Sequence, residues 1–151
     1  MKQPVYRAAT EGDIAFIAQV YAQNMDALHG AYRSEAVWAQ LMDAQDSRYY
    51  IVVTDRPAGW FRMDTEDGEC FLGMLQVAPQ YQNRGIGRYV LSVAEAIAKK
   101  QGYASLGIHT TEDNIPARSL YLSAGYSVTE IGPCTTADGV DRVGYTFQKQ
   151  L

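Results

Sequence analysis

The feature that most constrains this chain is a glycine-containing loop between a predicted strand and a predicted helix. The loop reads Gln82-x-x-Gly85-x-Gly87, and an apolar helical stripe begins directly after it. The first turn of a helix has unpaired N–H groups and the positive end of the helix dipole, and glycines let an anion come close to the backbone. The loop therefore predicts a site for a phosphate-like anion, to which Arg84 and Arg88 add local positive charge.

Two familiar phosphate-binding loops do not fit this segment. A dinucleotide-binding fingerprint needs a third glycine, where this chain has Val90. A Walker loop needs Lys followed by Ser or Thr after its last glycine, and this chain has Arg88-Tyr89. Taken alone, the two glycines fit a flexible turn equally well.

The rest of the chain alternates strand and helix patterns. An apolar repeat from Ile14 to Leu28 predicts a first helix that runs to about His29, and Glu69–Val77 is predicted to be a long strand. Asn114 is suited to cap a short helix. The predicted order is βααβββαβαββ, which indicates an α/β fold with a mixed sheet. A length of 151 residues fits a single domain over residues 1–151.

Composition excludes several classes of protein. The net charge is −4 and the pI is near 5.1, which argues against nucleic acid or an anionic membrane as the partner. No segment is apolar for long enough to span a membrane, and Met1–Arg7 lacks the apolar core of a secretory signal. Two cysteines and two histidines have no metal-binding spacing. A reduced, cytoplasmic protein without a metal is expected.

Two motifs resemble those of the GCN5-related N-acetyltransferases, the GNAT family. Leu75–Pro79 together with Gln82–Gly87 resembles motif A of that family, whose loop reads Gln/Arg-x-x-Gly-x-Gly/Ala. Asn114–Tyr126 resembles motif B, commonly Asn-x-x-Ala-x-x-Leu-Tyr-x-x-x-Gly-Phe/Tyr. The resemblance is specific from about Cys70 to Tyr126. It implies a GNAT-like domain with a mixed, mostly antiparallel, twisted sheet of about seven strands flanked by helices.

The resemblance also implies acetyl-CoA as the cosubstrate, with no metal. In the family, the backbone of the motif A loop holds the pyrophosphate, and the preceding strand pairs with the pantetheine arm. An asparagine of motif B lies near the pantetheine, although here that residue also fits a helix cap. The implied cosubstrate-binding residues are Leu75, Val77, Gln82, Asn83, Arg84, Gly85, Gly87, Arg88 and Asn114.

Amide formation from a thioester needs a base for the amine and an acid for the leaving thiolate. Tyr121 matches the family tyrosine that is often assigned as the acid. The position of the strand glutamate in histone-modifying members falls near Phe71, so Glu69 is the candidate base that this strand retains, and it equally fits a solvated hairpin end. Other candidate bases are Asp64, Glu35, His29 and His109. Cys70 has no basic partner nearby in sequence, so a ternary complex without an acyl-enzyme is expected.

The expected function is therefore transfer of an acetyl group to a primary amine of a small molecule or peptide. A non-catalytic acyl-CoA sensor is the alternative. Aromatic walls with an acidic rim would suit a cationic amine, but the same aromatics also fit a core and the acids a solvated turn. These residues are Tyr32, Trp38, Trp60, Phe61, Asp64, Glu66, Asp67 and Glu69. The family commonly dimerises, and a homodimer paired through a strand edge near Tyr145 and Phe147 is one arrangement.

Overall fold

One seven-stranded sheet organises the chain in a computed structural model that describes residues 2–151. The strands are β1 (Val5–Ala8), β2 (Ser47–Val53), β3 (Pro57–Glu66), β4 (Glu69–Val77), β5 (Ser105–Thr111), β6 (Ser127–Thr135) and β7 (Asp141–Gln150). The helices are α1 (Ile14–Asn24), α2 (Glu35–Met42), α3 (Ile86–Lys100) and α4 (Ile115–Ser123). The predicted order of helices and strands is confirmed.

The strands lie in the order β1-β2-β3-β4-β5-β7-β6, and β4 and β5 form the single parallel pair among the described residues. The prediction of a mixed, mostly antiparallel sheet is therefore confirmed. Helix α3 connects β4 to β5, as a parallel pair requires a crossover. Two residue pairs join these strands, Phe71 with Gly107 and Leu72 with Ile108. Beyond them the two strands diverge and leave a cleft in the sheet.

A bulge in β4 lies where this divergence begins. The register of β3 against β4 shifts between Arg62 and Met63, which leaves Gly73 without a partner. A Cβ atom at Gly73 would overlap the carboxylate of Asp64, so glycine here leaves the space that the Asp64 and Arg62 side chains occupy. Because a bulge bends its strand, this one helps to turn the end of β4 away from β5.

Apolar side chains form a core on each face of the sheet. Helices α1 and α2 cover one face, where Trp38, Trp60 and Ile51 are fully buried. Helices α3 and α4 contribute to the other face, with Phe61 and Phe147 at its centre. The two cores hold the diverging strands in place from both sides.

The first helix is shorter than its apolar pattern predicts. It ends at Asn24, and His29 has a φ of 56°, which lies in the left-handed region. The apolar repeat continues because Met25 packs against the α1–α2 core and Leu28 lines cavities in the cleft. The apolar repeat therefore extends beyond the last residue of α1.

The strand edges are also not where the sequence suggested. Strand β7 pairs with β5 on one side and β6 on the other, so neither Tyr145 nor Phe147 lies on a free edge. Pairing of two copies through these residues is therefore wrong, and the outermost strands are β1 and β6.

None of the helices within residues 2–151 is long and apolar enough to cross a membrane.

Candidate active site

The cleft between β4 and β5 contains two cavities that meet. Residues 73–77 of β4 have no partner on the β5 side, so their backbone groups can pair with a ligand instead. One cavity, here called the cradle cavity, measures about 510 Å³ and lies between β4, the loop before α3, and α4. The other, the loop cavity, measures about 490 Å³ and lies between the α1–α2 loop, β5, β6 and β7.

The cradle cavity is built around the N-terminus of α3. Gly85 is the N-cap residue with a φ of 85°, a conformation that favours glycine, and no side chain caps the helix there. Asn83 has a φ of 61° and also tolerates the left-handed region. The first N–H groups of α3 are therefore free to bind an anion.

Eight of the nine residues predicted to bind the cosubstrate line the cradle cavity. They are Leu75, Val77, Gln82, Asn83, Gly85, Gly87, Arg88 and Asn114. The ninth, Arg84, does not line it, and its guanidinium lies 5.9 Å from the ring centre of Tyr81. The structure thus brings together all but one of the predicted set.

A hydrogen-bonded brace joins the loop, β4 and the end of α1. Gln82 Nε2 donates to the carbonyl of Val77 at 3.1 Å and to Asn24 Oδ1 at 3.2 Å. Asn24 Nδ2 donates to the same carbonyl at 2.9 Å and to Gln76 Oε1 at 3.1 Å. Sequence reasoning missed Asn24, because its partners lie more than fifty residues away along the chain and no local pattern signals the contact.

The two cavities share five lining residues, which mark the point where they join. These are Leu28, Leu75, Gln76, Asn114 and Tyr121. Asn114 also caps α4, because its Oδ1 accepts from the N–H of Ala117 at 3.3 Å. Its predicted position near the pantetheine and its capping role are compatible.

Tyr121 lies at this junction with little exposure to solvent. Its ring packs edge-on against Phe147, with 5.4 Å between the ring centres. Within residues 2–151 its hydroxyl makes no hydrogen bond, and the hydroxyl oxygen is not fully buried. Burial raises the pKa of Tyr121 to about 12, so the phenol stays protonated and is a hydrogen donor.

The candidate bases are dispersed by the fold. Glu69 is exposed at the end of the β3–β4 hairpin opposite Glu66, and it lines neither cavity. The carboxylate of Asp64 is held by Arg62 and by Ser47 Oγ at 2.8 Å, which leaves it poorly placed to take a proton.

The two histidines among the candidate bases lie in different parts of the site. His29 Nε2 contacts Asp113 Oδ2 at 2.7 Å and so connects the α1–α2 loop to the β5–α4 loop. Hydrogen bonds from Thr111 and then His29 lower the pKa of Asp113. His109 lines the loop cavity, and its Nδ1 lies 3.0 Å from Thr146 Oγ1. Of the candidate bases named from the sequence, His109 is the one that lines this cavity.

Glu35 and Cys70 line neither cavity. Glu35 is exposed on α2. Cys70 is buried in the core, where burial raises the pKa of its thiol, so it lacks the character of a nucleophile. Cys134 does line the loop cavity.

The aromatic walls and acidic rim suggested by the sequence do not form. Trp38, Trp60 and Phe61 are core residues with no exposed surface, as the alternative interpretation had it. Glu66 and Asp67 lie at the β3–β4 hairpin and line neither cavity. The loop cavity instead contains one arginine, one glutamate and one histidine, which are Arg33, Glu130 and His109.

Within residues 2–151 no group of three or more His, Cys, Asp or Glu side chains could hold a metal ion.

A diverging parallel strand pair, an open helix N-terminus and a buried tyrosine come together where the two cavities join. A model of the acetyltransferase (GNAT) family matches residues 15–126. The chain belongs to this family of acetyltransferases.

Similar proteins agree with this assignment. The mycothiol acetyltransferase of Jonesia denitrificans is 30% identical over 71 residues, which cover 47% of this chain and 23% of that protein. The match thus spans about a quarter of the length of this curated relative.

Two solved structures have the same fold. The ribosomal-protein-S18-alanine N-acetyltransferase from Escherichia coli has a TM-score of 0.79 at 20% identity, covering 98% of this chain and 94% of that chain. The yncA protein of Salmonella typhimurium, solved with its cofactor acetyl-CoA, has a TM-score of 0.78 at 19% identity, with the same coverage of 98% and 94%. At these identities the likeness supports the fold.

Proposed function

We propose that this protein transfers the acetyl group of acetyl-CoA to a primary amine of a small molecule or peptide, within a ternary complex. Acetyl-CoA is the cosubstrate of the family to which the chain belongs. The observation that carries the proposal is that the cradle cavity and the loop cavity meet at Tyr121 and Asn114. A donor and an acceptor can therefore enter from different sides and react at one point.

The cradle cavity has the features that a coenzyme A pyrophosphate needs. Gly85 keeps the first turn of α3 open, and Gln82 and Asn24 hold the loop against β4. Arg88 brings positive charge to a protein with a net charge of −4. Leu75 and Val77 have no strand partner on the β5 side. The Val77 carbonyl already accepts from Asn24 and Gln82, so the Val77 N–H and the Leu75 backbone are the groups that suit the amides of a pantetheine arm.

The reaction needs three groups around one thioester. The amine nitrogen attacks the acetyl carbonyl carbon, the carbon–sulfur bond breaks, and the sulfur leaves as a thiolate. Tyr121 donates its proton to that sulfur. Backbone N–H groups of β4 beyond Gly73 stabilise the oxygen that becomes negative. His109 accepts the proton that the amine loses.

Binding and turnover together test the proposal. Calorimetric titration should detect acetyl-CoA at micromolar affinity and show no binding of ATP or NAD. A panel of primary amines with acetyl-CoA should then release the free thiol of coenzyme A. Binding without turnover of any amine would favour the acyl-CoA sensor instead. Absence of binding to acetyl-CoA and to longer acyl-CoAs would contradict both functions.

Replacing the proposed base should slow turnover. We expect His109→Gln to lower kcat by about 100-fold, which is typical of a lost general base. Glu69→Gln is the matched control, because Glu69 is exposed and lines neither cavity. A large loss in the Glu69 variant with little change in the His109 variant would reverse the assignment.

A single domain over residues 1–151, a homodimer and a cytoplasmic location stay predictions from the sequence.

A further inference from the structure

Arg33 brings a positive charge to the loop cavity in a fixed position. It lies in the loop between α1 and α2, and its side chain lines that cavity. The guanidinium carbon is 5.2 Å from the ring centre of Tyr21 and 5.1 Å from that of Trp38. Both rings are buried in the core. A planar guanidinium stacked on such rings is oriented by them, so this charge is presented by the fold.

Arg33 differs from the other half-buried cations in having no partner. Those cations are Arg62, Arg118, Arg142 and Lys149. Three of them pair with carboxylates, and Arg118 donates to the carbonyl of Glu112 at 2.7 Å. Within residues 2–151, Arg33 makes neither an ion pair nor a hydrogen bond. Its nitrogen atoms are not sealed in the core, so its donors can reach a molecule in the cavity.

An occupant of the loop cavity can supply the missing partner. The guanidinium nitrogens are not fully buried, so an anion in the cavity can replace water as the acceptor of their hydrogen bonds. Arg33 does not line the cradle cavity, so the pyrophosphate is not its partner. Glu130 is the only carboxylate among the lining residues, and it is exposed on β6 without an ion pair to Arg33.

We propose that the acceptor carries a carboxylate beside its amine and that Arg33 binds this carboxylate. The inference rests on the proposed function, which assigns the loop cavity to the acceptor. A guanidinium suits a carboxylate because two parallel N–H groups meet two oxygens. A volume of about 490 Å³ has room for a free amino acid and also for larger amines that carry a carboxylate. A polyamine would instead place like charges together at Arg33.

Paired substrates test the carboxylate directly. Each standard L-amino acid and its α-carboxamide are compared as acceptors by release of the coenzyme A thiol. The best amino acid should have a kcat/KM at least 10-fold above that of its amide, because a charge-assisted pair is lost in the amide. Spermidine serves as a cationic amine without a carboxylate.

Variants of Arg33 test which residue recognises the carboxylate. Arg33→Met should raise KM for the best amino acid by about 10- to 100-fold and leave KM for its amide unchanged. Arg33→Lys should recover part of the affinity, since it keeps the charge and loses the planar fork. Arg56→Met is the matched control, because Arg56 is exposed in the β2–β3 turn and lines neither cavity.

Failure of this inference can be told apart from failure of the proposed function. If amides or spermidine are acetylated as efficiently as the amino acids, and Arg33→Met does not change these rates, the proposal that Arg33 binds a carboxylate is wrong. Acetyl transfer itself would still be supported. If no amine is acetylated, the proposed function fails. In that case the role of Arg33 can still be tested by calorimetry, which measures the binding of N-acetyl-L-amino acids to protein saturated with coenzyme A. Equal binding by the wild type and Arg33→Met would then reject its role.

Discussion

Replacing Tyr121 with phenylalanine should lower kcat by about 100-fold and leave the affinity for acetyl-CoA within about twofold. The variant removes the hydroxyl of a residue that lines both cavities and keeps the ring that packs against Phe147. Among residues 2–151 that hydroxyl makes no hydrogen bond, so its loss should leave stability almost unchanged. Because the proton transfer is made only in the transition state, kcat and kcat/KM should fall together.

The pH dependence tests whether the Tyr121 hydroxyl stays protonated during turnover. Burial raises the pKa of Tyr121 to about 12, so the hydroxyl is protonated from pH 6 to about 10. The ratio of wild-type to variant rates should therefore stay constant over that range. A ratio that collapses as the pH rises to 9 would mean that the hydroxyl already ionises there, contrary to its buried position.

A second tyrosine provides the control for the first. Tyr145 also lines the loop cavity but does not reach the junction that Tyr121 shares with the cradle cavity. Tyr145→Phe should change kcat by less than about threefold, as expected for a hydroxyl outside the reacting atoms. Equal losses in the two variants would show a general effect of cavity polarity, and an unaffected Tyr121→Phe would remove Tyr121 from the mechanism.

Replacing Gly85 with aspartate should weaken acetyl-CoA binding by at least about 100-fold. The carboxylate of an aspartate at the N-cap would accept hydrogen bonds from the first N–H groups of α3, the groups that the pyrophosphate needs. Its negative charge would also repel the phosphates in a partly buried site. Nothing lies within 4 Å of a Cβ at Gly85, so the side chain itself has room. Calorimetric titration with acetyl-CoA measures the loss.

Two further variants separate charge from backbone strain. Gly85→Asn has the same shape without the charge and should bind acetyl-CoA about tenfold better than Gly85→Asp. Gly139 has a similar φ of 82° and equally open surroundings in a turn outside both cavities. Gly139→Asp should therefore carry the same strain and leave acetyl-CoA binding intact. Unchanged affinity in Gly85→Asp would place the anion elsewhere.

The sequence predicted well what short stretches of chain decide by themselves. The loop before α3 could be predicted because the start of the helix and the left-handed conformation of Gly85 are properties of a short segment. The same holds for Asn114, which was predicted to cap a helix and whose side chain accepts from an N–H group three residues later. The end of α1 could not be predicted in this way, because the apolar repeat continues to pack against the core after the helical hydrogen bonds end.

By itself, then, the sequence determined the order of the elements, the glycine loop before α3, the position of Tyr121 in motif B and the family. The tertiary structure decided which polar groups line the loop cavity, where we propose that the acceptor binds. It places Glu69 at a hairpin end and buries the tryptophans that were candidates for aromatic walls. It also brings Arg33, His109 and Glu130 to one cavity. These three residues come from a loop and two strands far apart along the chain. Their meeting depends on where β4 and β5 diverge and on packing across the sheet, and periodicity in sequence does not record such long-range contacts.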